Sequence, residues 1–298
     1  MRKSHPPYFS RCRALYGCVY LACLCVAASA FCAPHWERVP EMTTKMYPFL
    51  MSRDLSLYVG GDGFLYRSTT NGGSWDVVHE GSYFRAMAES AEYLFASDGW
   101  QVWRSRDYGG TWEEAGGRFT YVRALLVQGP YIFAGGVEGI GTLYRADAHG
   151  ELWEKVADFP SAVLALATLD DYVYCGTNGH DVGSAWRSSD WGDTWSEVPG
   201  TGIVNALAVY RGDLYAGGVT VHRFDDGSAT WSRVGLPTTP VASITTAGAA
   251  IFAGGRGVHY SVDGYNWLTY TGDTGDIGRY GLKLCMGRNE QAAYPWWM

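Results

Sequence analysis

Once the first 30 residues are set aside, only three cysteines remain, Cys32, Cys175 and Cys285, widely spaced and without a Cys-x-x-Cys pair. An odd, scattered trio excludes a disulfide framework, and no cluster of metal-ligating spacing takes its place, so neither metal nor cofactor is expected. Cys175 falls in a strand phrase whose other copies carry Ala or Val, which reads as a buried thiol. Basic charge is also scarce. The same 30 residues hold four of the 23 Lys and Arg and none of the 30 Asp and Glu, leaving 19 against 30 and a formal charge of −11. Nucleic acid, whose phosphates call for basic patches, is therefore not an expected partner. Helical periodicity is absent throughout, which removes bundles and α/β folds. No complete catalytic set stands out.

The first 30 residues are a different object. Arg2, Lys3, Arg11 and Arg13 precede an apolar stretch, Ala14 to Ala28, that ends in Ala28-Ser29-Ala30. A basic start, an apolar run and a small-x-small exit describe a secretory signal peptide over 1–30, and hence a secreted, periplasmic or otherwise extracytoplasmic protein. The alternative is an uncleaved anchor, because Ala14 to Ala33 approaches the roughly 20 residues a membrane span needs. Membrane contact is expected only if that segment is retained. Phe31 before Cys32 and Tyr20 ahead of Cys23 spoil the pattern of a lipoprotein anchor.

What fills residues 31–298 is repetition. Trp36, Trp75, Trp112, Trp153, Trp195, Trp231 and Trp267 recur at gaps of 39, 37, 41, 42, 36 and 36 residues. Such a period means one supersecondary unit used again and again. A polar turn precedes each Trp, clearest as Ser105-Arg106-Asp107-Tyr108-Gly109-Gly110-Thr111-Trp112 and Ser188-Ser189-Asp190-Trp191-Gly192-Asp193-Thr194-Trp195. Ser and Asp side chains bond backbone N–H groups a few residues on. Gly supplies positive φ, and Trp pins the turn to what lies beneath. Decayed copies end at Trp75, Trp153, Trp231 and Trp267. Upstream lie phrases of apolar and aromatic residues closed by Gly: Leu57 to Gly61, Ile132 to Gly136, Val173 to Thr177, Leu214 to Gly218 and Ile251 to Gly255. Before those come further apolar runs, from Phe84, Val122, Val163, Ile203 and Val241. Each unit thus reads as four short strands, an all-β class whose radial repetition gives a β-propeller.

The turn pattern Ser-x-Asp-x-Gly-x-Thr-Trp resembles the Asp-box, or bacterial neuraminidase repeat, and the resemblance covers about residues 36 to 270. It implies a single propeller of four-stranded blades, as in the sialidase-like superfamily of secreted repeat proteins, in a monomeric ring. Seven blades are favoured, with Trp36 to Val39 closing the ring against a blade built from Tyr280 to Cys285 and Ala292 to Trp297. Six blades, with a loose tail after about 270, is the alternative. The resemblance also implies that the boxes, with Ser105, Asp107, Gly109, Trp112, Ser188, Asp190, Gly192 and Trp195, are structural turns away from any active site. Arg67, Arg104, Arg145, Arg187 and Arg223 occupy one repeat position before the box and read the same way.

Departures from the repeat carry the functional expectations. Two adjacent units hold longer segments, Val137 to Leu143 and Asn178 to Ala185, on which Glu138, His180 and Asp181 sit. Loops on a rigid scaffold are where binding and catalytic groups gather. One position of the innermost strand holds Arg85, Arg123, Leu164, Asn205 and Ala242 in succession, so two guanidiniums are expected to face one anion. Tyr83 and Tyr121 precede those arginines by two and share their side of the strand. Binding candidates are thus Arg85, Arg123, Tyr83, Tyr121, His180 and Asn205, with Trp100 as a further exposed aromatic; the weak catalytic candidates are Glu138 and Asp181. Sialidases of the resembled family need an arginine triad and an early arginine, and Met46 to Met51 offers none. The expected function is a non-catalytic propeller binding a glycan or protein partner through its long-loop face. The alternative is a glycoside hydrolase, a polysaccharide hydrolase before an exo-sialidase, with Glu138 and Asp181 as acid and base.

Overall fold

The computed structural model describes residues 46–269, apart from 139, 180–182, 237–239, 248 and 256, together with short strands at Val19–Leu21, Val26–Ala27, Ala30–Phe31 and Lys283–Cys285. The remainder of 1–30, Trp36 to Val39 and Ala292 to Trp297 lie outside the described residues. Among those described, every regular element is a strand.

Six antiparallel sheets follow one another along the chain, each a meander in sequence order. Sheet one holds Met46–Met51, Leu57–Ser68 and Asp76–Tyr83; sheet two holds Ala86–Glu89, Leu94–Ser97, Val102–Ser105 and Glu113–Glu114. Sheet three is Val122–Gln128, Tyr131–Glu138, Ile140–Asp147 and Glu154–Phe159; sheet four is Ala162–Leu169, Tyr172–Asn178, Ala185–Ser188 and Ser196–Val198. Sheet five is Ala206–Tyr210, Asp213–Gly217, Val221–Asp225 and Thr230–Arg233; sheet six is Val241–Ala247, Ala250–Gly255, Val258–Ser261 and Leu268–Thr269. The long strand of sheet one folds back on itself near Gly63, whose φ is +91°. The Arg67 guanidinium lies 5.9 Å from the Tyr58 ring, whereas a straight strand would hold those residues about 30 Å apart. All six sheets therefore have four strand passes.

The first strands pack against one another in chain order, and Lys283–Cys285 packs against both Val241–Ala247 and Met46–Met51. It also pairs in parallel with Val19–Leu21. The first strands enclose a cavity of about 260 Å³, lined from all six sheets by Phe49, Met87, Leu125, Leu166, Leu207 and Ile244 among others. This is the arrangement of a β-propeller.

Two recurring residues fix how the sheets pack. The aromatic of each second-strand phrase, Tyr58, Phe95, Phe133, Tyr174, Tyr215 and Phe252, is wholly buried, contributing about 1.5–3 kcal/mol of burial free energy each. The polar turn of the following sheet rests on it. A methyl group at Gly109 would stand 3.2 Å from the Tyr58 ring, one at Gly150 3.1 Å from Phe95, and one at Gly192 3.0 Å from Phe133. The glycine two residues after the aromatic makes room for the next sheet. A methyl at Gly60 would meet the Phe84 Cβ at 2.6 Å, and one at Gly217 the Val241 Cγ1 at 2.6 Å. The spaced glycines are thus sites of close approach between sheets.

Sheet three departs from expectation. The insertion from Val137 to Leu143 is not a long loop, because Tyr131–Glu138 and Ile140–Asp147 stay paired out to Glu138 opposite Ile140. The extra residues lengthen a hairpin instead.

Candidate functional site

In a meander, successive connections alternate between the two ends of the sheet. Turns joining strands three and four therefore share one face with the hairpins joining strands one and two. The hairpins joining strands two and three share the other face with the segments leading to the next sheet. Both faces carry chemistry-bearing side chains.

On the first face, the polar turns are closed internally. The Ser105 hydroxyl accepts from Gly109 N (2.8 Å) and donates to Asp107 Oδ1 (2.8 Å), while the Asp107 carboxylate accepts from Thr111 N and Oγ1, each at 2.8 Å. Ser188, Asp190, Gly192 and Thr194 repeat the pattern. These bonds hold the carboxyls acidic: the Thr194 hydroxyl and N–H, then Ser188, draw Asp190 down to about 2, and the Thr111 N–H leads the same effect at Asp107. Asp263 is held lower still, chiefly by Asn266. A carboxyl so fixed is a poor proton donor near neutral pH. Trp195 donates its indole N–H to Gly192 O at 3.0 Å, and the Trp112 side chain lies against Gly109.

The repeated arginine reaches from one sheet to the next. Arg104 donates to His149 O and pairs with Glu151 at 3.5 Å; Arg145 donates to Trp191 O at 2.8 Å and pairs with Asp193 at 2.7 Å. Arg187 lies 3.4 Å from Asp226, and the Arg223 guanidinium stands 5.0 Å from the Tyr265 ring. Arg67 instead binds Asp54 and Ser56 within its own sheet. Exposed aromatics occur here too, but one per turn, as Tyr108, Trp191 and Tyr265. The Trp191 ring lies on Gly129 of the preceding sheet, so part of its surface is already used.

The second face is different, because its aromatics converge. Tyr83, Trp100 and Tyr121 are 44%, 43% and 41% exposed and gather around one hairpin tip, Asp98 to Gln101. Asp98 builds that tip: its buried carboxylate accepts from Trp100 N at 3.0 Å and Gln101 N at 2.9 Å. The tip is bonded on both flanks. Tyr83 N donates to Asp98 O, while Val122 N donates to Gly99 O and Phe119 N to Trp100 O. As a result the Trp100 and Tyr121 rings sit with centroids 4.8 Å apart. Tyr121 adopts a positive φ of 53°, an uncommon conformation for a bulky residue.

The two predicted arginines border this cluster. The Arg85 guanidinium lies 5.4 Å from the Tyr83 ring. Arg123 lines the central cavity, along with Leu164, Asn205 and Ala242 from the equivalent position of other sheets. A feature the sequence reading missed explains that placement. The pairing of Val122 with Gly136 and of Ala124 with Gly135 leaves Arg123 as an extra residue, a β-bulge, and the same irregularity occurs at Leu164 and Ala242. Bulges re-aim a side chain out of the regular alternation. Partial burial, followed by the nearby Arg85 charge, pushes Arg123 below the ordinary arginine range. Asn205 is committed to structure, accepting from Asn178 Nδ2 at 2.6 Å and donating to Val241 O at 2.8 Å.

Glu138 stands on the same second face at the end of the long hairpin, where its carboxylate accepts the Tyr144 hydroxyl proton. Burial, with that bond behind it, pushes Tyr144 up to about 12. His180 and Asp181 lie outside the described residues, so the Glu138–Asp181 pairing is not placed. Among the described residues no group of three or more His, Cys, Asp or Glu is arranged to hold a metal ion. Cys175 is a free, buried thiol, with burial raising its pKa. No described helix is long and apolar enough to cross a membrane.

No family model matches the chain. Among curated proteins it is similar to Expansin-A19 of Oryza sativa subsp. japonica, 24% identical over 174 residues, covering 55% of this chain and 69% of that protein. It is also similar to a xyloglucanase of Paenibacillus sp, 29% identical over 180 residues, which is 50% of this chain and 17% of that enzyme. The chain thus spans about a sixth of the xyloglucanase. Among solved structures, the extracellular domain of BT4673 from B. thetaiotaomicron superimposes with a TM-score of 0.65 at 15% identity, covering 78% of this chain and 34% of that one. At that identity the likeness concerns the fold alone.

Proposed function

We propose that this chain is a secreted or surface β-propeller, seven-bladed and built on Asp-box repeats, that binds a glycan through the face carrying Tyr83, Trp100 and Tyr121 and does not itself catalyse a reaction. A protein partner on the same face is the other form of this reading. The convergence of three exposed aromatics on one braced hairpin tip carries the proposal. Exposed aromatic clusters with few mobile parts suit the apolar faces of sugar rings and the centres of protein contacts. Similarity to an expansin and a xyloglucanase supports carbohydrate before protein. Seven blades are supported by Lys283–Cys285, which contacts both the first and the sixth inner strand. Export is supported by the basic, apolar and small-residue pattern of 1–30.

The second reading, a glycoside hydrolase, is favoured by Glu138, a carboxylate on the same face held by a tyrosine hydroxyl. It requires a second carboxyl, with Asp181 the candidate, about 5–9.5 Å away across a cleft.

Titration calorimetry with a panel of plant and bacterial polysaccharide fragments, paired with a reducing-end assay, separates the two. Binding without turnover, weakened at least tenfold by Trp100→Ala, is the expected result. Turnover that disappears in Glu138→Gln establishes the hydrolase instead.

A further inference from the structure

Arg123 has no counter-charge among the described residues. Among the described residues it is the one charged group lining the central cavity, and the rest of that lining is apolar or neutral. Among the described residues it has no hydrogen-bond or ion-pair partner, and the nearest formal charge that acts on it is that of Arg85, of the same sign, with the Tyr121 hydroxyl opposing it weakly. Two other acidic groups on this face are already engaged: Asp98 by backbone N–H groups and Glu138 by Tyr144. Arg123 stays exposed to solvent at the end of its strand, beside a second cation, so an anion bound there would relieve the like-charge repulsion.

The bulge at Arg123 points to the same conclusion. A regular strand would place residue 123 on the alternation of its neighbours; the extra residue sends the guanidinium into the cavity mouth. Two residues earlier, Tyr121 turns its ring onto Trp100 at the rim. One ligand therefore meets a cation at the mouth and an aromatic wall beside it. Arginine's planar fork suits the two oxygens of a carboxylate, and the indole and phenol rings suit the C–H face of a pyranose.

We propose that the ligand of this face is an acidic glycan, its uronic carboxylate held by Arg123 at the mouth of the central cavity and an adjoining sugar ring stacked on Trp100 and Tyr121. The inference rests on the glycan-binding reading above and names the class of glycan.

The test is calorimetry with an oligogalacturonate, its methyl ester and a neutral galacto-oligosaccharide of equal length, with polyglutamate as a non-sugar polyanion. The acid is expected to bind at least tenfold more tightly than its ester, and raised salt is expected to narrow that gap. Arg123→Gln is expected to bring the acid down to the level of the ester with neutral binding unchanged. Arg123→Lys, which keeps the charge and loses the fork, is expected to fall between. Trp100→Ala is expected to weaken acid and ester alike. Equal binding of acid and ester by the unaltered protein overturns the inference while leaving glycan binding intact. So does a preference for acid that survives Arg123→Gln at an unchanged Tm. Polyglutamate binding as tightly as the acid sugar, with Trp100→Ala without effect, replaces the glycan by an acidic peptide. Failure of all the sugars removes both this inference and the glycan reading beneath it.

Discussion

Ser188 is a small side chain with three bonds to keep. Its oxygen accepts from Gly192 N and, more weakly, from Asp190 N, and its proton goes to Asp190. Ser188→Ala leaves the Gly192 N–H buried without an acceptor, a loss of about 1–3 kcal/mol, which chemical denaturation measures directly. Asp190 adds a pH dependence of definite sign. Its carboxyl is held near 2 by Thr194 and Ser188, below the roughly 3.9 of an unfolded chain. A depressed folded pKa gives stability that is present above the unfolded value and is lost as pH falls through the folded one. Thermal melts between pH 5 and pH 2 are therefore expected to fall less steeply for Asp190→Asn than for the unaltered protein. His79, wedged 4.5 Å from Trp103 and 5.6 Å from Trp112, also has its pKa lowered, by burial, so its contribution has the same sign and is lost as pH falls through the histidine range.

At the scale of the strand, the second-strand glycine decides how closely neighbouring sheets approach. Gly217→Ala inserts a methyl 2.6 Å from Val241 Cγ1 and 3.0 Å from Ile244 Cδ1, and overpacking of that kind costs about 1–3 kcal/mol. Val241→Ala removes the obstructing atom, so the double variant is expected to recover part of that cost, a coupling of about 0.5–3 kcal/mol in a double-mutant cycle. A simple sum of the two single effects would place the contact elsewhere. The periodic glycines, the aromatics two residues before them and the turn residues were readable as a repeat because each recurs at a fixed offset. Their partners were not, because Gly217 meets Val241 and Gly109 meets Tyr58 across distances no local pattern spans. The bulge at Arg123 was hidden for a related reason. One extra residue in a strand whose first positions vary leaves no mark on the spacing of the tryptophans. The insertion at Val137 to Leu143 was visible as extra length, but whether length becomes loop or hairpin depends on pairing with the opposite strand.

At the scale of the whole molecule, the question is how the ends meet. Signal cleavage after Ala30 is expected to give a mature protein beginning at Phe31, which intact-mass measurement of secreted material reads; a retained N terminus establishes the anchor. Cleavage would also take away Val19–Leu21, the strand that runs parallel to Lys283–Cys285. Removal of residues 271–298 is expected to lower Tm by more than about 4 °C, a shift that corresponds to 1–2 kcal/mol in a domain of this size, because Met46–Met51 and Val241–Ala247 lose the strand packed between them. An unchanged Tm would favour six blades.

The joints from sheet two onward all run in one direction. Arg104, Arg145, Arg187 and Arg223 each reach forward to the turn of the following sheet, never back. A contact of this head-to-tail kind never satisfies itself in a pair; each unit always offers one free donor end and one free acceptor end. Duplication or deletion of a whole unit within the gene would therefore leave every remaining joint chemically intact. What limits the number of units is then the angle turned at each joint, and a lineage can change ring size without inventing a new interface.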